Sequence, residues 1–327
     1  APPSSTRPVI RPAGSTPPPS MPLEDPFSNP LPQSKATTPP SVTRTAPAPL
    51  PVQTSTGGLP SRYQQITLIG SGGMGMVYKA FDANLQRWVA IKTFREEAAS
   101  RHPEVLKRFL NESRIMASLD HPTIPKVFDL SVASPYYLSF EFLEGDDLRK
   151  VIGSFSTEAP PDLQGCLTLG IQLASGFHHA AEKGILHRDI KPENLILETG
   201  GRVRIIDFGL AHLEGSMNMT ESGVVIGTPW YLAPERLQGQ PASVATELYA
   251  FGFALYELLT TVRPYPGDAV TVVFARDPIP LRQMRPDAPP ELESVLARCL
   301  SKNPLTRPTN FAEIESLLTG ILHQYYG

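Results

Sequence analysis

Three oxygen-bearing side chains fall close together in this sequence. They are Asp189 and Asn194 in His187-Arg188-Asp189-Ile190-Lys191-Pro192-Glu193-Asn194, and Asp207 in Asp207-Phe208-Gly209. Carboxylate and amide oxygens are hard ligands suited to magnesium, which keeps waters and shares phosphate oxygens. A lone loop aspartate is ordinarily a turn or cap residue, so the weight lies in what accompanies these three. Gly70-Ser71-Gly72-Gly73-Met74-Gly75 matches G-x-G-x-x-G, and Val89-Ala90-Ile91-Lys92 ends an apolar run in a lysine. Glycines alone serve plain tight turns, and a strand-end lysine usually snorkels at an edge. Together they offer backbone N–H groups and a cation to phosphate oxygens. Glu112, on the following helical stretch, is the candidate carboxylate partner for Lys92.

The elements around these residues decide between readings. In a dinucleotide-binding loop the glycine pattern opens a helix. Here Met76-Val77-Tyr78-Lys79-Ala80-Phe81 follows it and alternates like a strand, so the glycines form a hairpin tip and the dinucleotide reading fails. Tyr63, Ile66 and Leu68, then Trp88 to Phe94, and later Tyr136 to Leu143 read as further strands. Residues 104–119 change to a helical period through Val105, Phe109, Ile115, Met116 and Leu119. Leu195-Ile196-Leu197 and Val203-Arg204-Ile205-Ile206 form a short hairpin around Gly200-Gly201, which puts Asp189, Asn194 and Asp207 at loop–strand junctions of one small unit. From Asp162 helices dominate: Leu163, Leu167, Ile171, Ala174 and Phe177 share a face, and Ser243–Thr261, Glu291–Leu300 and Phe311–Ile321 are further candidates. A small strand-rich part followed by a larger helical part predicts an α+β, two-lobed fold.

Composition sets the limits. The chain has 327 residues, enough for one large or two modest domains, and a formal net charge of −3. Near balance argues against a protein whose main work is coating nucleic acid or acidic lipid. Cys166 and Cys299 lie far apart and match no metal or redox spacing, so they read as buried thiols of a reducing compartment. No run of 18 apolar residues exists, so no membrane segment is expected in this chain. It begins at Ala1 without a signal-peptide pattern, as a fragment of a longer protein would. Of the 36 prolines, 17 lie in residues 1–60, with 16 Ser or Thr. Such a stretch buries too little apolar surface to offset its ordering entropy. Residues 1–60 therefore read as a disordered tail or linker, with docking of a Pro-recognising partner as the alternative.

Taken in order, these motifs resemble a eukaryotic-type (Hanks-type) protein kinase, and most of all the bacterial serine/threonine kinases. The resemblance runs from about Tyr63 to Leu322 through G-x-G-x-x-G-x-V, V-A-I-K, H-R-D-x-K-P-E-N, D-F-G and A-P-E. It implies a bilobal kinase fold, with a small strand-rich lobe carrying one regulatory helix over 61–143 and a larger helical lobe over 144–327. It also implies transfer of the ATP γ-phosphoryl group to Ser or Thr hydroxyls of proteins, with ATP and magnesium, or manganese in its place, as cofactors. By the same resemblance Gly70, Gly72 and Gly75 cover the phosphates, and Lys92, paired with Glu112, binds them. Asp189 accepts the substrate proton, Lys191 reaches the γ-phosphate, and Asn194 and Asp207 hold the metal. Ile69, Val77, Ala90 and Ile196 would wall the adenine, Phe140 would gate it, and Glu141 to Leu143 would hydrogen-bond its edge.

The resemblance extends to regulation. Lys191 and Thr228 speak for Ser/Thr acceptors. Arg188 typically pairs with a phosphorylated loop residue, and Thr220 and Ser222 match the double autophosphorylation site of related bacterial kinases, as against plain solvated hydroxyls. Glu235 should pair with Arg307 and brace the helical lobe. One position departs from the pattern. Glu247 stands where relatives carry an aspartate that binds the catalytic-loop backbone, with Ala181 where many have histidine. That departure motivates a rival reading, a catalytically weak or pseudokinase-like ATP-binding scaffold. The need for ATP places this part in the cytoplasm, with a membrane anchor outside the chain and a homodimer paired through the small lobes as further family expectations.

Overall fold

The computed structural model describes residues 58–71, 75–95, 103–208, 229–267 and 272–327. Alternating branched and aromatic residues give the first three strands, β1 (Tyr63–Ser71), β2 (Gly75–Asp82) and β3 (Arg87–Phe94), joined antiparallel. Asp82, fully buried, closes the turn into β3 by accepting the backbone N–H groups of Asn84 (2.9 Å) and Leu85 (3.1 Å). Helix α1 (Pro103–Ser118) follows, then β4 (Val127–Ser131) and β5 (Tyr137–Glu141). The sheet runs β1-β2-β3-β5-β4. Its own small core is Tyr63, Tyr78, Ala80, Val89, Ile91 and Tyr137.

The larger part begins with β6 (Gly145–Asp147), α2 (Leu148–Gly153) and α3 (Leu163–Glu182), the last capped by Asp162 through the Gly165 N–H at 2.7 Å. A 3-10 turn, Pro192–Asn194, leads into β7 (Leu195–Glu198) and β8 (Val203–Ile205), which complete a three-stranded sheet in the order β6-β7-β8. After another 3-10 turn at Pro229–Tyr231 come α4 (Pro234–Leu237), α5 (Val244–Thr260), α6 (Val272–Ala275), α7 (Leu281–Met284), α8 (Pro290–Cys299) and α9 (Phe311–Tyr326).

Helix α5 is the axis of this lobe. Every residue from Thr246 to Thr260 is buried, Glu247 and Glu257 included, so the helix is packed all round. Ser243 starts it with a capping box to Thr246. Phe177 of α3, Phe251 of α5 and Phe311 of α9 stack in a cluster with ring centroids 5.3–6.4 Å apart. Each such ring contributes about 2–3 kcal/mol by leaving water. Cys166 and Cys299 are both free and buried, the latter so close to α5 that a Cβ on Gly252 would lie 2.4 Å from its own Cβ.

The α+β, two-lobed expectation holds, and the glycine pattern does lie between two antiparallel strands, with Ser71 opposite Met76. The expected helix over 104–119 and the hairpin around Gly200-Gly201 appear within a residue or two of their expected ends. Strands β4 and β6 and helix α2 were not expected. In β4 the alternation is broken by Asp129, whose carboxylate is taken by Arg62 and by the Tyr137 hydroxyl at 2.8 Å. Among the described residues no helix is long and apolar enough to cross a membrane.

Candidate active site

The 3-10 turn after α3 brings the chemistry together. Lys191 donates its ammonium to Asp189 Oδ2 at 2.7 Å, and Asn194 Nδ2 donates to the same oxygen at 3.0 Å and to the Asp189 carbonyl at 2.7 Å. Asp189, Lys191 and Asn194 thus form one bonded unit, with the Asn194 amide turned so that its Oδ1 is not used on Asp189. Arg188 (φ 66°) and Asp207 (φ 59°) both adopt the left-handed backbone region that non-glycine residues avoid. Strain of this kind persists where surrounding bonds over-determine it.

Those bonds are visible. Glu247 on α5, 4% exposed, accepts the backbone N–H of His187 at 2.7 Å and that of Arg188 at 2.9 Å, one on each oxygen. Burial pushes its carboxyl up to about 7 in spite of the two donors. His187, 1% exposed, bonds through Nε2 to the Ile206 carbonyl at 2.8 Å and accepts the Asp189 N–H at Nδ1 at 3.3 Å. Burial lowers its pKa, so it is neutral with the proton on Nε2. Its ring packs against Phe208 at 4.8 Å. One imidazole therefore ties the segment of Asp189 to that of Asp207.

Lys92 ends in an ion pair with Asp207 Oδ1 at 2.8 Å. Among the described residues this is the ion pair that Lys92 makes, where Glu112 was the expected partner. Helix α1 carries Glu112 instead to a cavity of about 80 Å³ that it shares with Ile115, Gly184, Ile185, Leu186, Arg188 and Phe208. Arg188 Nε is buried with no hydrogen-bond partner among the described residues.

At the other end of the cleft, Val77 lies opposite Lys92 in the β2–β3 register and Ala90 opposite Phe140 between β3 and β5, so these side chains share one sheet face. Ile69 is 50% exposed, Ile196 half-buried on β7, and Leu143 half-buried just after β5. Gly70 and Gly75 flank the hairpin tip. Gly75 is required by packing: a Cβ there would sit 1.8 Å from the Thr93 carbonyl oxygen. Gly72, Thr220, Ser222 and Thr228 lie outside the described residues. Glu235 and Arg307 form a bidentate pair at 2.6 and 2.9 Å, with the Arg307 side chain fully buried.

Two arrangements were missed. Arg204, 2% exposed on β8, bonds the Glu141 carboxylate at the end of β5, with Glu198 3.3 Å away. Burial is the largest single influence on the Glu141 pKa and would raise it, but the Arg204 hydrogen bond and charge, with the Lys126 N–H and the Arg202 charge, together outweigh it and lower it. A charged residue inside the apolar run Val203-Arg204-Ile205-Ile206 was the available signal, since a buried charge requires a partner. Lys79 sets its ammonium over the rings of Trp88 (4.6 Å) and Phe142 (4.2 Å), fixing the residue after Glu141 from the sheet side.

A family described as "Protein kinase domain" matches residues 63–324. A probable serine/threonine-protein kinase of Streptomyces coelicolor is 37% identical over 258 residues, which are 75% of this chain and 38% of that protein. The serine/threonine-protein kinase PknA of Mycobacterium tuberculosis is 36% identical over 259 residues, 76% of this chain and 58% of that protein. The chain therefore spans about two-fifths to three-fifths of these relatives. The crystal structure of the Mycobacterium tuberculosis PknI kinase domain superimposes with a TM-score of 0.65 at 24% identity, over 83% of this chain and 99% of that one, a likeness of fold.

Proposed function

Because this chain belongs to the protein kinase family, we propose that its cleft moves the γ-phosphoryl group of ATP to Ser or Thr hydroxyls of proteins. The observation that carries the reading is the Asp189 carboxylate, held by Lys191 and Asn194 and strained into place by Glu247. In this reading the acceptor oxygen attacks phosphorus while the bond to the β–γ bridging oxygen breaks, ADP leaves with that electron pair, and the hydroxyl proton passes to Asp189. Lys191, two residues from the base, stabilises the negative charge spread over the transferring oxygens. Lys92 and the backbone near Gly70 and Gly75 meet the other phosphates, and the Glu141–Leu143 backbone receives the adenine edge.

A divalent metal fits the donor set. Asn194 Oδ1 and Asp207 offer hard oxygens, and among the described residues no three His, Cys, Asp or Glu side chains converge into a protein-only cage. Magnesium suits such a half-built site, since it binds through one or two protein oxygens plus phosphate; manganese shares that preference. Bound there, the ion would neutralise phosphate charge.

The scaffold reading rested on Glu247, and the longer acid meets both catalytic-loop N–H groups, which supports the catalytic reading. Lys191 supports Ser/Thr acceptors, and autophosphorylation on Thr220 or Ser222, cytoplasmic work and a tethering role for residues 1–60 complete the proposal. Mass spectrometry after incubation with Mg-ATP tests it. Phosphate on Thr220 or Ser222, absent in Asp189→Asn, is expected. Nucleotide binding without transfer under magnesium or manganese would return the scaffold reading.

A further inference from the structure

A cavity of about 600 Å³ opens in the helical lobe between α8 and the segment that joins α6 to α7. Glu293, Leu296 and Ala297 of α8, with Leu300 at its C-terminus, line it at the three- and four-residue spacing that brings helical side chains to one face. Ile279 and Leu281 also line it, on a backbone fixed by the Ile279 N–H donating to the Pro264 carbonyl at 2.7 Å. Tyr256 of α5 reaches the cavity from the core. It lies nine residues beyond Glu247, about 14 Å along the helix, so the cavity is separate from the catalytic cleft. Sites for small molecules have this build: a few hundred cubic ångströms or more, apolar walls and a small number of polar groups.

Two features say what would fill it. The first is a hydroxyl. Tyr256 is 1% exposed, and its hydroxyl is buried with no hydrogen-bond partner among the described residues. A buried donor left unmet is costly, and this one belongs to the cavity wall. Burial, and after it the Glu293 charge, raises the phenol pKa, so the group stays protonated and needs an acceptor. Glu293 gives its Oε2 to the Arg282 N–H at 2.6 Å instead. The second feature is charge. Asp277 and Glu293 bring two carboxylates to the wall, against one ammonium from Lys302, which Asp277 already holds at 3.0 Å. An entering anion would meet an excess of negative charge, and a neutral molecule would not.

We propose that this cavity is a binding site for a small neutral molecule with an apolar body and one hydrogen-bond-accepting oxygen, as in a ketone or amide, which takes the Tyr256 hydroxyl. It is a second site, and it does not depend on the phosphotransfer reading.

The probe is benzophenone, a neutral diaryl ketone. It is compared with diphenylmethane, which lacks the oxygen, and with 4-benzoylbenzoate, which adds a negative charge. Binding to the full chain is measured by titration calorimetry, with Mg-ADP present to keep the catalytic cleft filled. Benzophenone is expected to bind at one site at least threefold more tightly than either comparison compound. Tyr256→Phe should lower its affinity about threefold to tenfold, the worth of one hydrogen bond, and leave diphenylmethane unchanged. Because the hydroxyl has no partner to lose, this variant should melt no lower than wild type. Ala297→Trp adds an indole at an exposed position of the wall and should abolish binding of both compounds. The two variants locate the site whether or not the nucleotide binds, so failure here and failure of the kinase reading are told apart. Absence of binding, equal binding of 4-benzoylbenzoate, or an affinity unmoved by Tyr256→Phe or by Ala297→Trp would overturn the proposal. So would a dimer in sedimentation that Ala297→Trp dissolves, since a second copy of the chain would then cover the cavity.

Discussion

The Glu247 carboxylate accepts the backbone N–H of Arg188 at 2.9 Å, at the very residue whose backbone is left-handed. Its second oxygen takes the preceding N–H, so the bend before Asp189 is held from the core of the helical lobe. This acid reaches about 7 against an ordinary value of 4.5, chiefly through burial. A folded state that holds the proton more tightly than the unfolded chain is favoured at low pH, so this contribution declines as pH rises through that interval and is gone above it. The interval corresponds to a free energy on the order of 3 kcal/mol. Denaturant unfolding from pH 5 to 8 should therefore show wild type losing stability relative to Glu247→Gln as pH rises. Parallel profiles would refute this.

Lys92 and Asp207 form a pair that is accessible, with side-chain exposures of 22% and 40%. Exposed pairs contribute little to stability, about 0–1 kcal/mol. Lys92→Met should leave the melting temperature nearly unchanged and lower kcat/KM for a protein acceptor by roughly 100-fold or more, the scale for losing one preorganised donor to a developing charge. A large melting shift with activity retained would reverse the assignment.

Arg307 and Glu235 behave oppositely. Arg307 also donates to the Ser301 and Ala245 carbonyls at 2.9 and 2.8 Å, with none of its side chain exposed. Removing one partner of such a pair costs about 3–5 kcal/mol. Arg307→Ala should lower the melting temperature on the order of 10 °C. Arg307→Lys, lacking the planar fork, should recover only part of it. Scanning calorimetry measures both.

Gly75 stands where β2 starts beside β3. A methyl group at 1.8 Å from the Thr93 carbonyl cannot be accommodated without moving one strand. Gly75→Ala should weaken nucleotide binding at least tenfold and accelerate amide exchange at Met76 and Thr93, partners in the ladder. Gly70→Ala, whose added Cβ would meet only Val77 at 3.7 Å, should be far milder. Equal effects would show that the glycines act through the loop alone.

Much of the cleft could be read from residue order. The hairpin tip followed from alternation after the glycines, and the Asp189–Asn194 turn from its motif, because both depend on local periods and neighbours. What could not be read depends on how elements face one another. That Lys92 meets Asp207, 115 residues further on, is a pairing no spacing records. Arg149 bonds Glu193, Tyr231 and Glu257, each an ordinary residue on its own helix or turn. Arg204 gave a partial signal as a charge inside a strand, without saying that Glu141 would answer it.

The buried thiols have a further use. Cys166 and Cys299 are the only cysteines of the chain and both lie in the helical lobe; burial pushes each up to about 12. Neither forms appreciable thiolate near neutral pH, so alkylating reagents must wait for the lobe to open. The two tryptophans divide differently: Trp88 belongs to the small lobe and Trp230 to the large one. Thiol trapping therefore clocks the opening of one lobe alone, while indole emission sees both, and any lag between the two signals is the lifetime of a half-melted molecule.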